Sequence, residues 1–264
     1  MSVKYATLEE AKSLEGIKLL VIKGIPSPWS EAAKAILEVK KIPYTAVAFD
    51  AFNAEQQAWF QANNAPALKQ GSDATLIDWL DILEFAEQTS PMPSLLPQAK
   101  GERDTHLALC HSLCSKLGLG WQRRLQSVHL GLNEMGGFPI KIAHYLAAKY
   151  GYQAENSALY ESEIIRILGE LTARLKQNAL SQTIRADDKE GAYYFGESLT
   201  ALDIYSAMFM AYFKPLAQDV CPMYPSIRLA FETYSPEVAK ALDPVLLQHR
   251  DLVYSRHLEL PLSI

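Results

Sequence analysis

The pattern of apolar and polar positions divides the chain into two unlike halves. Ile17-Lys18-Leu19-Leu20-Val21-Ile22 is a short apolar run rich in branched side chains that ends at Gly24 and reads as a strand. The loop Ile25-Pro26-Ser27-Pro28-Trp29-Ser30 follows, and from Glu31 the residues Ala32, Ala35, Ile36 and Val39 recur at helical spacing. Lys40-Lys41 suit the negative end of that helix, Ile42-Pro43 breaks it, and Tyr44 to Phe49 reads as a second strand, which completes a βαβ unit. Ala54 to Gln61 predicts a short helix. After Asn63-Asn64-Ala65-Pro66-Ala67-Leu68 and the turn Gly71-Ser72-Asp73, Ala74-Thr75-Leu76 predicts a last short strand. Asp78 with Asp81 opens a helix running to Gln88, so the order is βαβαββα behind a polar, partly helical lead-in over residues 1–16.

Pro91, Pro93 and Pro97 stand too close together for a helix to continue, which marks a linker. Beyond it no strand-like run occurs. Helical periodicity covers Glu102 to Leu117, Tyr160 to Leu180, Thr200 to Phe213 and Pro225 to Tyr234. The expected organisation is therefore an α/β domain over 1–88, a linker over 89–98 and an all-α domain over 99–264. Glycines at 118, 120, 131, 136 and 137 interrupt the pattern near 119–155, which reads as an insertion holding one extra short helix between Phe138 and Tyr150.

Charge and composition narrow the function. A formal net charge of -5 offers no attraction for phosphate backbones or anionic lipid, which disfavours nucleic acid and membrane partners. Charges also precede any apolar run at the N-terminus, so no secretory signal is predicted and a cytoplasmic setting is expected. Three cysteines cannot form a disulfide framework; Cys110 and Cys114 read as core residues on one helix face, and no ligand set at zinc-like spacing accompanies them, so no metal is expected.

The element order and three local segments resemble the cytosolic glutathione transferase superfamily. The segments are Ile25-Pro26-Ser27-Pro28-Trp29-Ser30 between the first strand and helix, Ala65-Pro66-Ala67-Leu68, and Gly196-Glu197-Ser198-Leu199-Thr200-Ala201-Leu202-Asp203. The resemblance implies a thioredoxin-like N-terminal domain with a mixed four-stranded sheet, an all-helical C-terminal bundle, a homodimer, and glutathione as substrate or cofactor for the conjugation or isomerisation of a small electrophile. It places Ser27 at the position of the thiolate-stabilising residue, with Ser30 as a second hydroxyl. Against glutathione it places Trp29, the segment Ala65-Pro66 with its proline in cis, and Asp78-Trp79 where the family usually carries Glu-Ser. Neither Ser27 nor Ser30 is a cysteine, which disfavours thiol-disulfide exchange.

The residues carry physical readings of their own. Pro28 suits the first helical position, so Ser27 either caps the helix or lends its hydroxyl, at the positive end of the helix, to a thiolate. Asp78 is likewise a cap or a ligand residue, while Trp79 puts an indole where a hydroxyl would accept a hydrogen bond. That departure keeps a second reading open, a binding or interaction module on the same fold. Thr200 and Asp203 form a helix-opening pair expected to contribute on the order of 1 kcal/mol. Trp121, His129 and Tyr145 are candidates for the acceptor side of a cleft, and Arg123-Arg124 reads as a solvated helix face or a contact for an acidic substrate. His249-Arg250-Asp251 has no Gly-x-Ser-x-Gly nucleophile to serve and reads as a packed tail.

Overall fold

A computed structural model describes residues 3, 5–181 and 193–264; Lys4, the first two residues of the lead-in and residues 182–192 lie outside it. The chain begins with β1 (Tyr5–Ala6), α1 (Leu8–Ser13), β2 (Ile17–Val21), α2 (Pro28–Val39), β3 (Tyr44–Ala48), α3 (Ala54–Phe60), β4 (Ala67–Gln70) and α4 (Trp79–Thr89). The sheet order is β1-β3-β2-β4. β2 runs parallel to β3, with Leu19 opposite Ala46, and antiparallel to β4, with Leu19 opposite Leu68. All five residues of β2 are buried, as its unbroken apolar pattern requires of a central strand. Lys18 fits there because its ammonium donates to the carbonyls of Glu15 and Gly16 at 3.0 and 2.8 Å.

The fourth strand is not the one the sequence suggested. Tyr5–Ala6, inside the polar lead-in, pairs parallel to β3, whereas Leu76 forms only an isolated bridge with Leu68, closed by two 2.8 Å hydrogen bonds. A two-residue strand is too short to show a period of two. Little chain also separates the turn at Gly71 from the Asp78 cap of α4, so the run at Ala74 to Leu76 has no room to extend.

The helical half comprises α5 (Lys100–Cys114), α6 (Leu119–Leu132), α7 (Ile140–Tyr150), α8 (Ser157–Ser181), α9 (Ala201–Phe209), α10 (Pro225–Glu232), α11 (Pro236–Ala241) and α12 (Pro244–His257). The glycines at 120 and 131 lie within α6 without breaking it. α9 is buried along its whole length and packs on α2, α5 and α12. Its first amides all find acceptors: Ala201 N–H donates to Leu95 O (2.8 Å), Leu202 N–H to His106 Nε2 (3.0 Å) and Asp203 N–H to Thr200 O (3.1 Å). Burial holds His106 neutral, its pKa lowered to about 4, so that Nε2 remains an acceptor.

The segment joining the halves is pinned. The fully buried Lys40 ammonium, at the end of α2, donates to the carbonyls of Ser90 (2.6 Å) and Pro93 (2.8 Å) and pairs with Glu87 at 2.6 Å. Glu87 in turn accepts from Leu95 N–H and Ser94 Oγ. With both sides of α2 covered, one hydrophobic core runs from β2 through α2, α9 and α8 to α12.

Candidate functional site

Pro28 occupies the first helical position of α2, and Ser27 precedes it in extended conformation, 8% exposed, with a hydroxyl that makes no capping hydrogen bond. The capping role open to Ser27 in the sequence is therefore not taken up. Ser30 is fully buried and its Oγ accepts from Ile22 N–H at 3.1 Å, which ties α2 to the end of β2. That bond uses Ser30 Oγ as an acceptor and gives the residue a structural role at the start of α2.

Between the two serines, Trp29 marks the seam of the two halves. Its Nε1–H donates to Cys114 O at 2.9 Å, and its ring meets Phe209 edge-on at 4.9 Å. Gly120, in the first turn of α6, permits this approach: a Cβ there would stand 2.2 Å from Phe209 Cε1 and 2.7 Å from Trp29 Cη2. Trp29 also forms one wall of a cleft of about 910 Å³ between the halves.

Ala65, Pro66, Asp78 and Trp79 line the same cleft, so all five positions assigned to glutathione come together, from three separate stretches of chain; neither Ser27 nor Ser30 is part of the lining. The Ala65–Pro66 peptide is cis. Asp78 caps α4, accepting from Leu80 N–H at 2.9 Å, and remains exposed. Trp79 packs edge-on against Tyr205 at 5.6 Å, and Tyr205 Oη donates to Trp79 O at 3.1 Å, which fixes the start of α4 against α9.

The opposite wall comes from the segment read as an insertion. Trp121 and Arg124 of α6 line the cleft together with Cys114 and Lys116. α7 reaches across to the loop before β4: Tyr150 Oη donates to Asn64 Oδ1 at 3.3 Å and Lys149 Nζ to Asn63 O at 3.2 Å. Arg124 is held among rings, its guanidinium carbon 4.6 Å from the Trp29 centroid, 5.4 Å from Trp121 and 4.2 Å from Tyr150. Burial works against its charge, and the hydroxyls of Tyr212 and Tyr150 outweigh it, leaving its pKa above the ordinary guanidinium value.

Neither arginine of the pair lies on a solvated face. Arg123 is fully buried, and its guanidinium donates to the carbonyls of Tyr212, Phe231 and Thr233 and to Ser127 Oγ; burial lowers its pKa to about 10. Among the other acceptor-side candidates, His129 instead contacts Tyr152 Oη at 2.7 Å and Tyr145 is exposed beside Lys149. Tyr150 and Lys116 carried no signal of their own in the sequence. Burial pushes the thiols of Cys110 and Cys114 well above the usual range, so both stay protonated at neutral pH. His249 pairs not with Asp251 but with Asp203, 2.9 Å away in the core.

The architecture is that of the glutathione transferases. The chain is similar in structure to a glutathione S-transferase from Methylobacterium radiotolerans, solved with glutathione sulfonate, with a TM-score of 0.59 at 16% identity, covering 91% of each chain. A glutathione S-transferase from Methylobacillus flagellatus with glutathione bound gives 0.58 at 15% identity, covering 91% of this chain and 96% of that one. Glutathione transferase Omega 3C from Trametes versicolor gives 0.55 at 15%, covering 94% and 89%. The protein thus has the glutathione transferase fold, a thioredoxin-like half followed by a helical half. No protein-family model matches the sequence, and no curated protein matches it.

Proposed function

We propose that this protein binds glutathione in the interdomain cleft and activates its thiol for conjugation to, or isomerisation of, a small electrophile. The observation that carries the reading is the convergence of Trp29, Ala65, Pro66, Asp78 and Trp79 on one cleft. Ser27, uncapped at the N-terminus of α2, is the proposed thiolate partner: its hydroxyl donates to the sulfur and the helix dipole favours the charged form. A charge-assisted hydrogen bond of this kind contributes about 1.5–3 kcal/mol, so Ser27→Ala is expected to slow thiol transfer by roughly ten- to a hundredfold and to raise the pKa of the rate profile. An unchanged profile would dismiss Ser27. A homodimer and a cytoplasmic setting go with this reading, to be checked by sedimentation velocity and cell fractionation.

A second reading, a binding or interaction module with little catalysis, is favoured by Trp79 standing in the cleft and by the absence of Ser27 from its lining. Calorimetry with reduced glutathione separates the two. Binding by the wild type supports the first reading; binding only after Trp79→Ser supports the second.

A further inference from the structure

Arg124 is a cation with room for an anion. Of its guanidinium donors, one hydrogen bond is formed, from Nη2 to Tyr212 Oη at 3.3 Å, and no carboxylate lies within 4.0 Å of it among the described residues. The neighbouring Arg123 shows what an arginine used for structure looks like here, with its guanidinium donating to carbonyls and side-chain oxygens from three different stretches of chain. Arg124 instead lies half-buried in the cleft wall, its plane fixed by Trp29, Trp121 and Tyr150 rather than by acceptors. Such stacking lowers the entropy lost when a carboxylate docks on the planar fork. Lys116, exposed on the same wall, adds a second positive charge. The acidic group of the cleft, Asp78, belongs to the opposite wall with Ile77 and Trp79.

We infer that the acceptor is a flat, carboxylate-bearing electrophile whose carboxylate is held by Arg124 and whose planar body lies along the Trp29 and Trp121 rings. The electrophile part of this inference rests on the glutathione reading above; the anion site does not, because Arg124 and the rings that orient it form the site without any glutathione atom. Arg124 is accordingly a specificity-determining residue. Its guanidinium selects the charged acceptor, and Lys116 contributes through longer-range attraction that salt screens.

The test uses 4-chloro-3-nitrobenzoate and its uncharged amide, a pair that differs in charge and little in shape. Binding is measured on the full chain without glutathione, by quenching of tryptophan fluorescence, and turnover is measured with glutathione present. The wild type is expected to bind the acid about tenfold or more tightly than the amide, as a charge-assisted bidentate contact implies. Arg124→Gln is expected to abolish that preference, Arg124→Lys to keep part of it, and Lys116→Gln to reduce it two- to threefold. Equal binding of acid and amide by the wild type overturns the inference whether or not any variant folds, as does a preference that survives Arg124→Gln. If Arg124→Gln slows turnover of acid and amide equally, the guanidinium serves the thiolate and the inference is likewise overturned. Preferential binding of the acid without turnover in the presence of glutathione supports the anion site and counts against the glutathione reading alone.

Discussion

Asp203 offers the sharpest energetic prediction. In the sequence it is the second half of a Thr-x-x-Asp pair, worth about 1 kcal/mol as a helix cap. In the structure its fully buried carboxylate accepts at Oδ2 from Thr200 N–H (2.7 Å) and Thr200 Oγ1 (2.6 Å), and at Oδ1 from Tyr194 N–H (2.9 Å), with His249 Nε2 also 2.9 Å away. Asp203→Ala would leave these partners buried without an acceptor, each loss costing about 1–3 kcal/mol in isolation and less when the site relaxes as a unit. Removal of one member of a buried pair costs about 3–5 kcal/mol, and we expect Asp203→Ala to fall near the upper end of that range. Asp203→Asn keeps an acceptor oxygen and loses the charge, for which about 2–3 kcal/mol is expected. Against a typical stability of 5–15 kcal/mol these are large fractions, readily measured by urea unfolding of the full chain. A double-mutant cycle with His249→Gln then isolates the coupling between the two side chains. A loss below about 1.5 kcal/mol in Asp203→Ala would reduce the residue to an ordinary cap and refute the reasoning.

Three other expectations follow from buried groups. Folding lowers the His106 pKa from 6.5 to about 4, so its contribution is complete above pH 6.5 and declines as pH falls toward 4; burial raises Glu31 from 4.5 to about 7, against the pull of Lys34, so its contribution is complete below pH 4.5 and declines as pH rises toward 7. The melting temperature of the wild type between pH 4.5 and 6.5 is therefore expected to vary less than that of either variant, rising with pH in Glu31→Gln and falling in His106→Gln; slopes of the opposite sign would contradict the assignment. Gly120→Ala is expected to cost about 1–3 kcal/mol in thermal or urea unfolding and to shift the tryptophan emission, because the added methyl must displace Phe209 or Trp29. Lys40→Met leaves the Glu87 carboxylate and the linker carbonyls without their ammonium and is expected to destabilise by about 3–5 kcal/mol, with faster proteolysis between Ser90 and Leu95 as the independent readout.

Much of the first half was legible in the sequence because its signals are local. The βαβ unit follows from apolar runs and helical spacing, Asp78 caps α4 as its position implied, and Pro28 begins α2. The remainder depends on neighbours that no local pattern encodes. Tyr5–Ala6 gains its strand character only by lying against β3. The glycines of α6 looked like breaks in a helix; Gly131 instead receives Phe138 O where a Cβ would stand 2.2 Å away, and Gly120 makes room for two rings. A helical wheel gives no reason to separate Arg123 from Arg124, because the difference between them is set by carbonyls near Phe231 and by Tyr150 of α7. His249 follows the same rule: its adjacent Asp251 pairs with Arg250, while its own partner is 46 residues away.

The hydrogen bond from Trp29 to Cys114 crosses from one half of the molecule to the other at the point where a ligand would rest. The cleft wall and the joint between the halves are thus one set of atoms, and affinity and cohesion become two readings of the same free energy. Any ligand that seats against Trp29 strengthens the joint by mass action, so the two halves are expected to melt in a single transition that moves upward as the cleft fills. A substitution that loosens the seam will be felt first as weaker binding, well before either half unfolds.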